Sequence, residues 1–323
     1  MDVDSASPVF RLRLRPFVAD QSMSTRPVVR CRATAAKQPV PRLKLRRSFD
    51  RAAASFDSVA ALPREIAARM TERLLLVQLP ARRILDAGCG TGAAAALLRQ
   101  RFTGALVIEL DASEKMLRQR ATRPKPGWFR IGRQSTRLAV CADFQQLPLA
   151  TGSIDLIWSN LALHWAEDLQ RALAEANRVL RPGGLLMFSA FGPDTLQELR
   201  LASPGGEFRV NQHLDMHDIG DMLVHCGYAD PVMDMEKMTL TYVDVGALLR
   251  DLRAHGSTAV TGSDKQGLRG RADYLRVVSR YEQFRGDARL PATFEVIYGH
   301  AWKQASRLSP KGKPVIDIVS ARH

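Results

Sequence analysis

Between residues 83 and 190 the chain switches repeatedly between two rhythms of apolar and polar positions. Short, mainly apolar runs at Arg83–Asp86, Ala105–Asp111, Leu138–Asp143, Ile154–Ser159 and Leu185–Ala190 have the length of buried strands. Between them, Ala93–Gln100, Ser113–Arg120 and Asp168–Leu180 repeat apolar residues three and four apart, which predicts helices. The last is strongly amphipathic and is closed by Arg181-Pro182-Gly183-Gly184, since proline cannot continue a helix and glycine adopts the turn beyond its end. Strands alternating with helices of this length predict βαβ units and a parallel sheet.

The flanks extend this pattern. From Arg47 to Leu79 the rhythm is helical, with Ile66, Met70, Arg73 and Leu74 at spacings of three and four and Pro63 suited to a first turn, so two helices are expected before the first strand. After Phe191, Leu214–Cys226 predicts a helix ending at Gly227, Met238–Tyr242 a strand and Val245–Ala254 a helix. Gly256–Gly270 reads as a loop, residues 272–285 as a helix, and Thr293–Trp302 alternates like a closing strand. The expected fold class is α/β: a doubly wound, seven-stranded, mostly parallel sheet with a C-terminal helical cover over about residues 192–290.

Composition narrows the setting. The 323 residues are 46% hydrophobic and 25% charged, as in ordinary globular proteins. No apolar run reaches the roughly 18 residues of a membrane span, so no membrane partner is expected. Cys31, Cys89, Cys141 and Cys226 stand far apart without a CxxC pair, which reads as reduced thiols and a cytoplasmic location. Of the net charge of +14, residues 1–47 carry a surplus of eight, from eleven Arg and Lys against three Asp. Residues 1–45 lack a period and repeat proline at 8, 16, 27, 39 and 41, so they are expected to form a disordered basic arm. They are Arg-rich like a mitochondrial transit peptide, but Asp2 and Asp4 argue against that reading, and Met23 offers a second start. The domain proper is expected at 46–303, with a tail at 304–323.

The sharpest motif is Ile84-Leu85-Asp86-Ala87-Gly88-Cys89-Gly90-Thr91-Gly92, which follows a strand and opens a helix. Its glycines permit a tight turn and a close ligand, and the helix start leaves N–H groups facing the edge where ligands bind in such folds. An acid just before the glycines suits a ligand carrying a sulfonium and an ammonium group better than a pyrophosphate. The pattern resembles the first motif of class I methyltransferases that use S-adenosylmethionine (SAM). That resemblance implies cofactor contacts from Asp86, Gly88, Gly90 and Gly92. It places Asp111 on the ribose hydroxyls, Met116 near the cofactor, Asp143 and Phe144 on adenine, and Asn160 beside the methionine part.

Other candidates are weaker. His213 and His217 stand four apart, as metal ligands can on one helix face, but no third ligand lies near and no metal is expected. His164-Trp165, just past Asn160, falls near the methyl-transfer centre. No Ser-His-Asp or Cys-His arrangement stands out.

Further blocks resemble one family, the malonyl-[acyl-carrier protein] O-methyltransferases of biotin synthesis. They are Ser48–Ser55, Asn160–Trp165, Phe191–Arg200, Leu249–Gly256 and Pro291–Trp302, so the likeness runs from about residue 47 to 303. It implies methylation of the free malonyl carboxylate on acyl carrier protein, with SAM as cofactor and the malonyl-loaded carrier as partner. Arg200 and His164 are the substrate-positioning candidates. Phe56 stands where that family leads one to expect a pocket tyrosine, and the basic arm is a second departure. A mitochondrial assembly factor that modifies an arginine of a complex I subunit shares several of these blocks, but Gly192-Pro193 and Tyr298–Trp302 favour the first family. A catalytically silent scaffold is a further reading. So is a nucleic-acid methyltransferase, but the arm lacks interleaved aromatics and no N-P-P-Y-type motif follows the fourth strand, so no nucleic acid is expected.

Overall fold

A computed structural model describes residues 9–11, 42–121, 138–256 and 270–305. The strands are β1 (Val9–Arg11), β2 (Arg83–Ala87), β3 (Leu106–Asp111), β4 (Leu138–Cys141), β5 (Ile154–Ser159), β6 (Leu180–Phe191), β7 (Tyr228–Tyr242) and β8 (Leu290–Lys303). They form one sheet in the order β1-β7-β8-β6-β5-β2-β3-β4. Strands β2 to β6 pair in parallel, whereas β8 runs antiparallel to both β6 and β7. The seven strands expected from the sequence are all present.

The eighth corrects the reading of residues 1–45 as a disordered arm throughout. β1 pairs antiparallel with β7, Phe10 opposite Leu240. Without it, β7 would be an edge strand with a row of unpaired backbone groups, which any short extended segment can satisfy. The domain also begins earlier than residue 46, because helix α1 spans Arg42–Ala52. Three helices rather than two precede β2: α1, α2 (Phe56–Val59) and α3 (Ala61–Leu75).

The remaining helices are α4 (Ala93–Arg101), α5 (Glu114–Ala121), α6 (Leu169–Val179), α7 (Gln197–Ala202), α8 (Met216–His225), α9 (Val245–Ala254) and α10 (Arg271–Tyr281). Asp168 accepts a hydrogen bond from the Arg171 N–H at 2.9 Å and starts α6; Asp215 and Asp244 start α8 and α9 in the same way. Strand β5 is buried on both sides, as a central parallel strand must be. On one face Trp158, Met187 and Phe294 pack with α3, α4, α7, α9 and α10 through residues such as Met70, Leu98, Leu248 and Tyr281. On the other, Leu85, Ile157 and Leu186 pack with α6 and α8 through Leu173, Ala176, Ile219 and Leu223.

Helix α8 therefore belongs to the sheet layer, not to the cover expected over 192–290. Its Ile219 and Leu223 are buried and need the sheet as partner. Strand β7 is much longer than the segment Met238–Tyr242, because a bulge between Ala229 and Val232 breaks its early alternation. Residues 257–269 of the expected loop, and the expected tail from 306 on, lie outside the described residues. From β2 the chain builds β3 and β4 on one side and then β5 and β6 on the other, so the carboxyl ends of β2 and β5 part and open a crevice.

Candidate cofactor and substrate site

At the end of β2 the chain passes through buried Asp86 and turns back sharply. The N–H groups of Gly88 and Cys89 both donate to the Leu110 carbonyl, at 2.8 and 3.0 Å, which folds the turn against the end of β3. Gly88, Gly90 and Gly92 have φ of +78°, +54° and +80°, a region that side chains disfavour. A Cβ on Gly88 would lie 2.2 Å from the Ala162 Cβ, so the turn and the segment after β5 touch only because no side chain intervenes. A Cβ on Gly90 would point across the cavity toward the Phe56 ring, 3.7 Å away.

Three further strand ends converge here. Asp111 accepts from the Gly90 N–H at 2.9 Å through one carboxylate oxygen and from the Ser113 N–H at 2.7 Å through the other. Burial pushes its carboxyl above the ordinary aspartate value; the two N–H contacts oppose this and nearby Asp50 adds to it. Asp143 sits two residues past β4, accepts from the Gln145 N–H at 2.8 Å and meets the Arg42 Nε at 3.1 Å. Asn160, the residue after β5, donates to the Pro63 carbonyl at 2.9 Å and accepts from the Ser189 hydroxyl at 2.8 Å.

Eight of the nine expected cofactor positions line one cavity of about 760 Å³: Asp86, Gly88, Gly90, Asp111, Met116, Asp143, Phe144 and Asn160. Gly92 does not; it takes the left-handed conformation that starts α4.

The two substrate-positioning candidates fall elsewhere. His164 lies in the turn Leu163–Trp165 behind the cavity wall, packed against Trp165, Phe191 and His213 with ring centroids 5.0–5.2 Å away. Burial, and the neighbouring His213, hold it well below the ordinary histidine value, so it is neutral and part of an aromatic wall. Arg200 is exposed at the end of α7 and donates to the carbonyls of Pro193 and Thr195, at 2.7 and 2.9 Å. It closes the turn after β6 and does not line the cavity.

Sequence reasoning missed most of the opposite wall. Helices α1 and α2 lie across the cofactor loops: the Ser113 hydroxyl donates to Asp50 at 2.6 Å and the Thr91 hydroxyl to Asp57 at 2.5 Å. Asp50 lies within the Ser48–Ser55 block and Asp57 two residues past it, where only the resemblance gave a signal. The substrate side is walled by Phe191, Leu199, Phe208, Leu249 and Phe294, with His213 and Asn211 inside and Arg209 exposed at the rim. His213, unlike His164, lines the cavity. His217 instead faces outward and meets Asp215 at 2.6 Å. Among the described residues no group of three side chains could hold a metal ion.

The cavity therefore carries the strand-end carboxylates Asp86, Asp111 and Asp143 on one side and mainly apolar side chains with Arg209, Asn211 and His213 on the other, and Asp57 and Asp251 also line it. That donor set fits SAM: carboxylates for the ribose hydroxyls and for a positively charged ligand, and a cradle at Gly90 that a side chain would fill.

Comparison with known proteins agrees. The family profile described as "Methyltransferase domain" matches residues 85–188. A malonyl-[acyl-carrier protein] O-methyltransferase of Gallionella capsiferriformans is 48% identical over 274 residues, covering 84% of this chain and 94% of the relative. One of Laribacter hongkongensis is 49% identical, with 85% and 94% covered. The crystal structure of the YcgJ protein from Bacillus subtilis superposes with a TM-score of 0.52 at 16% identity, over 75% of this chain and 99% of that one, which shows the shared fold. The cofactor is SAM, and the chain belongs to the malonyl-[acyl-carrier protein] O-methyltransferase family.

Proposed function

We propose that the protein transfers a methyl group from SAM to the free carboxylate of malonyl-acyl carrier protein, giving the methyl ester that primes pimeloyl synthesis in the biotin pathway. The observation that carries this is the division of one cavity between strand-end carboxylates and the Arg209–His213 segment. It is supported by relatives of that name at 44–49% identity over most of the chain.

SAM supplies a methyl group already activated by its positive sulfur. A malonyl carboxylate is ionised near neutral pH and needs no base, which accords with a buried, neutral His164. The protein's task is alignment and exclusion of water. Asp111 and Asp86 hold the cofactor end, Phe191 and Phe294 wall the substrate end, and Arg209, Asn211 and His213 are among the lining groups able to hold an anion. Esterification removes the negative charge those groups grip, which favours release.

The test is methyl transfer from SAM to purified malonyl-acyl carrier protein, read as a carrier mass increased by one CH₂. The expected result is an ester that alkali removes, and no reaction on acetyl-loaded carrier. Arg209→Ala should lower kcat/KM by about tenfold while SAM affinity is kept, the scale of one charge-assisted contact. No transfer to the malonyl carrier by the wild-type protein would refute the reading. Arginine modification of a respiratory subunit is not favoured, since the relatives named above are malonyl-[acyl-carrier protein] O-methyltransferases. No described helix is long and apolar enough to cross a membrane, and a cytoplasmic location belongs to the same proposal.

A further inference from the structure

The carrier's malonyl group rides on a long flexible arm, so the carrier body must rest on the enzyme surface beside the cavity mouth. Arg200 does not line that cavity. A groove between α1 and α9 adjoins it. It is lined by Ser48, Arg51, Ser55, Arg250 and Arg253 with two alanines, and by no carboxylate. Arg253 also lines the large cavity, so the groove and the cavity share a wall.

We propose that this groove docks the acidic face of the carrier protein, with Arg51 and Arg250 as its contact cations. The inference rests on the malonyl-carrier reading above and adds the surface where the carrier sits.

Three observations support it. First, the groove is held in shape by both helices. The Ser48 hydroxyl donates to the Gly256 carbonyl at 2.9 Å, and Gly256, with φ of +78°, brings α9's end so close to α1 that a Cβ there would lie 2.8 Å from the Phe49 ring. Cations presented on such a frame lose little freedom on binding. Second, Arg51, Arg250 and Arg253 are exposed, and among the described residues none forms an ion pair. The acids of the same helices are engaged elsewhere. Asp50 accepts from Ser113 and faces Arg46 at 3.9 Å, and Asp251 accepts from the Tyr242 hydroxyl at 2.7 Å and faces His255 at 3.7 Å. Third, α1 continues the basic surface, with Lys44 and Arg47 exposed along it beside Arg42 and Arg46, which face Asp143, Glu167 and Asp50. A positive strip that ends at the cavity mouth raises the encounter rate with an acidic partner and sets its orientation.

Arginines near the ends of α1 and α9 also complement the helix dipoles, and that role alone would cost stability but not discriminate between substrates. The test separates the two. The double variant Arg51→Glu/Arg250→Glu is assayed on malonyl-acyl carrier protein and on malonyl-pantetheine, which lacks the protein body, with SAM affinity and melting temperature recorded. A drop of about tenfold or more in kcat/KM on the carrier, with malonyl-pantetheine turnover and SAM affinity within twofold, is expected. The wild-type rate on the carrier should fall steeply with salt and the variant's should not, and Arg51→Lys/Arg250→Lys should retain most activity. Equal losses on both substrates, or no loss on the carrier, would overturn the docking surface. Failure of the wild-type protein to methylate either substrate would instead refute the reaction on which it rests.

Discussion

Thr91 donates its hydroxyl hydrogen bond to Asp57 across 2.5 Å, tying the glycine turn at the end of β2 to helix α2. The Thr91 side chain is buried, so this carboxylate is its means of satisfying the hydroxyl.

The contact should couple the N-terminal cover to cofactor binding. Thr91→Val and Asp57→Ala should each weaken SAM binding by about 1–2 kcal/mol, because a charge-assisted hydrogen bond is lost and the cover loosens over the cavity. The double variant should lose little more than either single one. Calorimetric titration of all four proteins checks this; additive losses would mean that the two residues act separately.

Asp111 should make cofactor binding depend on pH. Burial raises its pKa, so the folded chain holds this proton at a pH where the unfolded chain has released it. The ionised form therefore subtracts from stability at neutral pH, and that cost disappears as pH falls through the window between the raised value and the ordinary aspartate value of about 3.9. Ribose hydroxyls donate best to the ionised carboxylate, so SAM binding should weaken over the same window. Asp111→Asn should bind SAM more weakly at neutral pH and lose this pH dependence. An unchanged neutral-pH affinity in Asp111→Asn would remove Asp111 from the ribose contact.

Gly88 should tolerate no side chain. Gly88→Ala combines a φ of +78° with a Cβ placed 2.2 Å from that of Ala162, so the turn or the segment after β5 must move. A destabilisation above about 2 kcal/mol in urea unfolding is expected, with SAM binding lost. The contrasting Gly90→Ala should fold with a smaller loss and still weaken SAM binding, since its Cβ meets no atom closer than 3.7 Å. Equal unfolding costs at the two positions would contradict this division.

Arg200→Ala should behave as a stability variant. Its guanidinium donates to the carbonyls of Pro193 and Thr195, so truncation frees that turn and costs about 1 kcal/mol. Thermal melts should show the loss, while kcat/KM on the malonyl carrier at a temperature where the variant is folded should stay within threefold. A hundredfold loss of turnover without a change in melting would return Arg200 to the substrate site.

The sequence by itself determined the parallel sheet and the strand-end side of the cavity. Both depend on local rules: a buried strand must be apolar along its length, and a turn at φ of +78° or +54° needs glycine, so Gly88 and Gly90 stand out in one dimension. Asp111 and Asp143 were legible because topology puts the residues after parallel strands on one edge. The substrate side was decided only by tertiary structure. Ser48 meets Gly256 across 208 positions, and the Thr91–Asp57 tie needs α2 folded back over the sheet edge, which no local periodicity encodes. His164 and His213 are equivalent as isolated side chains; only packing places one behind the wall, 5.2 Å from the other, which lines the cavity. Arg200 turned to its own backbone because two carbonyls of the turn after β6 lie within reach, and Ile219 and Leu223 drew α8 onto the sheet because burying them there removes apolar surface from water. Periodicity assigns a residue to a face of its own element, but long-range packing decides what that face meets.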